Sequence, residues 1–532
     1  MVISMKENQK KRFVRGSCVA LALSILICCF TTGCKKKAEQ TNSEDITLTF
    51  WCELSPYVMT SVSNYAETEF YKALKERTGV DVKFIHPAAG NVNEQFNVML
   101  ASGEYPDMIQ RDWSSYPGGE AKACEDGILI DFTDDVKEYM PNMYKYMKKK
   151  TPNAERWVTT NGRYYIVPSL ADYTEYTSTQ GPVIRNDLLK QVGLDVPTTI
   201  DEWEVMLKAF KDAGVKYPLS FTDFQLKAYY PLIGAYGVTR TFLQDNGVMK
   251  YGYIEPGMKE FIIRMKSWID QGLVDPDIMT MDMTTFNGKV SSGNVGAWFG
   301  GLGTISDVCK EIQQVKPDAE IIGAPYPTLE KGDECKIIYI DRRDGYTFQK
   351  AVGITTANKH PKETLKWLDY AFSDEGHMLY NFGVEGESYT MVDGKPKYTE
   401  LITNNPNGLT MTQALALWTR PDATGYVDIE YMNQIYNMPQ QQQAARMWSE
   451  NANKYEHVPT WKGCLKFTAE EGERISELNT QYSTYAEEYF AKFLFGEEPI
   501  SKFDEYAANL RKMGVDEVLK IYQNAYDRVM KK

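Results

Sequence analysis

Apolar residues in this chain come in short β-branched or aromatic runs, and these runs alternate with segments of helical spacing. "ITLTFW" (46–51) reads as a strand, and a helix follows as far as about Thr78, where Thr78-Gly79 stops it. "VDVKFIH" (80–86) is a second strand, Asn91–Ala101 a helix ending at Ser102-Gly103, and "PDMIQRD" (106–112) a third strand. A βαβαβ start of this kind predicts a mainly parallel sheet with helices on both faces.

The alternation continues. "GRYYIVPSL" (162–170) is extended, and "PVIRNDLLKQVG" (182–193) runs from strand into helix. "PTTIDEWEVMLKAFKDAG" (197–214) is a helix with a capping box, Thr199 at the N-cap and Glu202 three residues on. "YPLSFT" (217–222) is a strand, "KVSSGNVGAWFGG" (289–301) a strand ending in a glycine turn, and "YTFQKAVGITTAN" (346–358) is extended. Residues 360–383 are helical with Pro361 in the first turn, and from about Met411 the chain is mostly helix. No repeat of 20–50 residues is present.

The N-terminus follows other rules. Lys6, Lys10, Lys11, Arg12 and Arg15 face one acid, Glu7, and Cys18–Phe30 is apolar apart from Ser24. That run is too short for a hydrocarbon core needing about 20 residues, so 1–33 reads as a signal peptide. "TTGC" (31–34) resembles a bacterial lipobox, with Thr31 where the usual pattern has Leu. The resemblance implies lipidation of Cys34, with 34–45 as a tether at the extracellular face of the bacterial cell membrane. Two acyl chains suffice for stable anchoring, and Lys35–Lys37 would meet anionic headgroups.

The 532 residues carry a net charge of −13, and loss of the basic leader makes the body more acidic still. Such a body is a poor partner for nucleic acid. Of nine cysteines, five remain beyond Cys34: Cys52, Cys124, Cys309, Cys335 and Cys464. They are scattered, with no C-x-x-C pair, and read as free thiols rather than a disulfide framework.

Three segments then resemble maltose-type solute-binding proteins: "YPDMIQRDWSSYPGGEAKACEDGILIDFTD", "VIRNDLLKQVGLDVPTTIDEWEVMLKAF" and "GITTANKHPKETLKWLDYAFSDEGHMLYNFGVEGESYTM". The closing "FDEYAANLRKMGVDEVLKIYQNAYDRVMKK" is similar to the family's large lipoprotein subgroup, assigned to aldouronate and complex-oligosaccharide import. The resemblance implies an α/β, two-lobed periplasmic-binding-protein-like fold (class II), with hinge-linked lobes and a helical C-terminal extension. Lobe one is expected at 46–175 plus 350–395, and lobe two at 180–345 plus 396–532. It also implies a monomer that binds an oligosaccharide between the lobes and delivers it to the permease subunits of an ABC importer. Some subgroup members carry a calcium loop after the "EWEVMLKAF" helix. Here "KDAGVKYPLS" runs straight to the strand, and no metal or cofactor is expected.

Ligands of open α/β sheets sit beyond the carboxyl ends of the strands. With the family match, that rule points to Trp51, Glu53 and Tyr57 after the first strand, and to Arg111, Asp112, Trp113 and Tyr116 after the third. It adds Asp172 and Tyr173 near a crossover, Trp298 and Phe299 beside glycines, Arg342, Arg343 and Tyr346 at the return, and Trp418, Arg420 and Trp461 in later loops. Flat rings cover the C–H face of a pyranose, while carboxylates and guanidinium forks bond its hydroxyls. Each ring also has a core alternative; Trp203, Trp268 and Trp367, in helices, are expected inside. H-E-x-x-H and G-x-S-x-G are absent, so no catalytic residue is assigned. A secreted carbohydrate-active hydrolase and a ligand-sensing lipoprotein are the rival readings.

Overall fold

The computed structural model describes residues 46–335, 337–340, 342–343, 345–347, 350–450 and 465–530, with only the backbone at 342, 343 and 347. The leader, Cys34, the tether, Trp461 and Cys464 lie outside the described residues. Strands in chain order are β1 (Thr47–Trp51), β2 (Asp81–Ile85), β3 (Met108–Arg111), β4 (Ile166–Val167), β5 (Ser169–Ala171), β6 (Gln180–Arg185), β7 (Tyr217–Ser220), β8 (Phe242–Asp245), β9 (Val248–Tyr251), β10 (Val295–Gly301), β11 (Ile321–Gly323), β12 (Arg342–Arg343), β13 (Tyr346–Thr347), β14 (Ala351–Ile354), β15 (Tyr389–Val392), β16 (Lys395–Tyr398) and β17 (Gly425–Val427).

Two principal sheets organise the chain. The first runs β2-β1-β3-β14-β4 and the second β11-β6-β10-β7. β1 lies parallel to β2 and β3, whereas β14 is antiparallel to β3, with Ala351 opposite Arg111. In the second sheet β10 is parallel to β7 and antiparallel to β6, with Gly301 opposite Gln180. A third, small sheet, β12-β13-β5-β17, gathers the segments that pass from one main sheet to the other.

Local chemistry explains the elements. The helix Ile200–Asp212 has its predicted capping box, and Ile200, Trp203, Met206, Leu207 and Phe210 form its buried stripe. Every residue of β10, "VGAWFGG", is buried, as a central strand covered on both faces requires. Its glycines admit the protein's own side chains: a Cβ on Gly296 would strike the Phe210 ring, and one on Gly301 the Gln180 amide. Trp203, Trp268 and Trp367 are core residues, as expected. Cys52, Cys124, Cys309 and Cys335 are free thiols. No helix among the described residues is long and apolar enough to cross a membrane.

Some expectations give way. Residues 283–291 are helical, with the Asp282 carboxylate capping Thr285 N–H, so β10 begins only at Val295. The helix expected over 360–383 breaks at Ser373, whose side chain caps a second helix, Asp374–Phe382. Residues 396–427 do not pack as the expected second-lobe assignment requires. The helix Met411–Trp418 lies on Pro56–Met59 and Glu69–Thr78, and β17 lies on Asp374–Phe382, all beside the first sheet. Of the C-terminal helices, Ala469–Phe495 packs against Pro256–Asp270 and Asp516–Met530 against β9.

Candidate functional site

The crossovers fix which sheet ends face each other. β5 leads through 172–179 into the start of β6, and β13 leads into the start of β14. Through the antiparallel pairings those starts lie beside the carboxyl ends of β7 and β10, and of β3. The gap is therefore bordered by the carboxyl ends of strands in both sheets, where open α/β folds hold ligands.

On the first sheet's side, Glu53 and Tyr57 follow β1. Ser55 caps the short helix Pro56–Met59 by accepting from Tyr57 N–H, and Ser55 N–H donates to the Tyr65 hydroxyl at 2.9 Å. That leaves Tyr57 52% exposed at a fixed position. The helix ending in Trp418 packs against this turn, and Trp418 is half-buried. Glu53 is ion-paired with Lys350, which precedes β14. Burial holds the Lys350 ammonium below its ordinary value. Arg420 is fully enclosed: it stacks 3.9 Å above the Tyr65 ring and donates to Asp422 at 3.1 Å. It serves the packing of its loop.

The second sheet's side carries aromatics that sequence reasoning missed. After β7, Thr222 and Gln225 form a capping box, and Gln225 Nε2 donates to Phe299 O at 2.7 Å. Between them Phe224 is 59% exposed. Phe224 lies edge-on to Tyr229 at 5.8 Å, and Tyr229 edge-on to Tyr339 at 5.4 Å. The helix ends at Tyr230 with φ +56°, a rare backbone conformation for an aromatic residue and one often found at functional sites. The available signal was a ring two residues after a capping threonine at a strand end.

The tryptophans expected to line the gap are packed elsewhere. Trp51 and Trp113 are 4% and 2% exposed and share a core with Phe96 and Ile109. Trp113 donates its indole N–H to Ala351 O. Trp298 and Phe299 are buried in the second sheet, where Phe299 stacks on Phe221 at 4.9 Å. The adjoining glycines are filled from within, so they give a ligand no approach there. Arg111 is buried with its guanidinium 3.5 Å over Phe96, and burial lowers its pKa to about 10. Its Nη2 donates to Ser115 Oγ. Asp172 pairs with Lys150 at 3.1 Å, and Tyr346 is buried opposite Leu170. Arg342 is placed by its backbone alone, opposite Thr347. The structure thus gathers Glu53, Tyr57 and the helix ending in Trp418 around the turn after β1, while Trp51, Trp113, Trp298 and Phe299 lie in the interior.

Beside the gap lies a crevice of about 560 Å³, between the loop after β3 (Ser114–Glu120) and the C-terminal segments Leu465–Phe467 and Gly472–Glu477. At its base Glu120 is 1% exposed and ion-paired with Lys466, and it also accepts from the Thr160 hydroxyl. Burial alone would raise the Glu120 carboxyl. The Lys466 ammonium and these hydrogen bonds outweigh it and hold the pKa below the ordinary value.

Comparison with known proteins agrees with this architecture. The chain is 23% identical over 483 residues to Lipoprotein LipO of Bacillus subtilis (strain 168), covering 86% of this chain and 88% of LipO. It is 22% identical over 519 residues to the fructooligosaccharide ABC transporter substrate-binding protein FusA of Streptococcus pneumoniae serotype 4 (strain ATCC BAA-334 / TIGR4), covering 91% of each. The crystal structure of the alginate-binding protein AlgQ2 without calcium ion superposes with a TM-score of 0.71 at 24% identity, over 91% of this chain and 98% of that one. The sequence profile of the family matches residues 59–378, and the chain belongs to the bacterial extracellular solute-binding proteins.

Proposed function

We propose that this protein captures an oligosaccharide in the gap between its two sheets and delivers it to the permease of an ABC importer. The observation that carries the reading is a pair of exposed rings, Tyr57 in the turn after β1 with the helix ending in half-buried Trp418 against it, and Phe224 in the turn after β7 with half-buried Tyr229 edge-on to it. Rings able to cover sugar C–H faces, set among a few polar groups such as the Glu53–Lys350 pair, make a carbohydrate site. FusA, by its name, does this for fructooligosaccharides within an ABC transporter, which supports the same role here.

The two lobes close on the ligand about the small sheet of β5, β12, β13 and β17. Ligand favours the closed form by touching both sides, and the shift equals its preference for that form. Lipidated Cys34 holds the protein at the outer face of the membrane. Fractionation of cells carrying Cys34→Ser checks this, since the variant is released to the medium if the anchor is real.

No catalysis is assigned. The protein is incubated with a mixed polysaccharide digest, repurified, and its bound glycans identified by mass spectrometry. Intact oligosaccharides that persist on prolonged incubation are the expected result. Progressive shortening would identify a glycosidase instead, and recovery of no glycan would overturn the reading.

A further inference from the structure

We propose that the 560 Å³ crevice beside the gap is a separate subsite for an uncharged glycosyl unit, so that the protein selects longer, neutral oligosaccharides. This rests on the oligosaccharide reading above and deepens it. The volume lies within the range of about 300–1,000 Å³ typical of ligand pockets.

Its walls are rings held in advance. Tyr116 comes from the loop after β3, and Phe467 and Tyr522 from the C-terminal segments. Tyr522 stacks on Phe242 at 4.0 Å and meets Phe467 edge-on at 5.0 Å. The Tyr116 hydroxyl donates to Asp126 at 2.8 Å, which leaves its oxygen free to accept from a sugar hydroxyl. Rings fixed before the ligand arrives lose little entropy on binding. The floor is equally set. Ser115 Oγ donates to Asp112 O and accepts from Arg111 Nη2, and Ser114 is held by the Asp112 carboxylate.

The charge of the lining selects against acidic sugars. Glu120 is neutralised by Lys466, and Glu477 is paired with Arg474 at 2.8 Å. Glu473 stands exposed on the rim, and among the described residues no cation lies within ion-pair distance of it. A uronate would enter against Glu473, and among the described lining residues the one cation, Lys466, is already paired with Glu120. Hydroxyls would instead donate to that carboxylate. A neighbouring crevice of about 930 Å³, on the other side of Lys466, has charged walls from Lys122, Glu125, Glu155, Arg156 and Arg528, and Phe467 is the one aromatic ring among its described lining residues. Among these hollows, the smaller one therefore has the composition of a sugar site.

The test is a glycan array of neutral and uronic oligomers, from disaccharides upward, probed with the wild type, Phe467→Ala and Ser476→Trp. Ser476 is an exposed lining residue, so its replacement fills the crevice without disturbing packing. Wild type should bind neutral oligomers and gain affinity with length. Both variants should keep disaccharide binding and lose about tenfold on the longer chains. Equal binding of long chains by Ser476→Trp, or a wild type that captures only uronic oligomers, would overturn the subsite. Binding of nothing on the array would instead sink the parent reading.

Discussion

Lys466 and Glu120 show how one contact ties the C-terminal helices to the loop after β3. Both side chains are largely withdrawn from water, at 14% and 2% exposure. Removing one partner strands the other's charge, so Lys466→Met should lower unfolding stability by about 3 kcal/mol, read from the urea midpoint. The pair also sets a pH dependence. Because the Glu120 carboxyl is held below its ordinary value when folded, its contribution is complete above that ordinary value, about 4.3. It is lost as pH falls through the depressed folded value. In the Lys466→Met variant this acid-side loss should shrink, as pH-dependent urea titrations would show. Nothing in the sequence joins Glu120 to Lys466, which lie 346 residues apart. Pairings of this kind are created by the fold and stay invisible to local pattern.

Individual elements were more legible. The helix Ile200–Asp212 was readable because its cap, its buried stripe and its end are all local features, and the structure reproduces the capping box atom for atom. Thr199→Ala should therefore cost about 1 kcal/mol in a denaturant titration, with the slope unchanged. β10 shows where that legibility stops. Its apolar run is plain in sequence, but whether Trp298 faces a ligand or a core depends on what covers the strand. Gly296 and Gly301 turned out to seat Phe210 and Gln180, which closes the space a ligand would need. Trp51 and Trp113 failed for the same reason, since loops and Phe96 fold over the ends of their strands. Tyr57, expected from its position after the first strand alone, is exposed because Ser55 caps and Pro56 opens a short helix at the strand end. Phe224 carries an equivalent local signal in the Thr222–Gln225 capping box.

At the scale of the molecule, the alternation of strands and helices gave the α/β class, and the family resemblance gave the two-lobed arrangement. The path of 396–427 was not legible, because its contacts with Pro56–Met59 and Glu69–Thr78 are long-range. The same architecture predicts motion. Small-angle scattering should show a smaller radius of gyration with saturating oligosaccharide than without; an unchanged radius at full occupancy would count against closure. The central claim is that one ligand is gripped by aromatic faces on both sides of the gap. Calorimetric titration of a captured oligosaccharide into wild type, Tyr57→Ala and Phe224→Ala tests it most directly, because both rings are exposed and their loss should leave folding within about 0.5 kcal/mol. The account predicts a loss of about tenfold or more in affinity for each variant. Wild-type affinity in either one would contradict it.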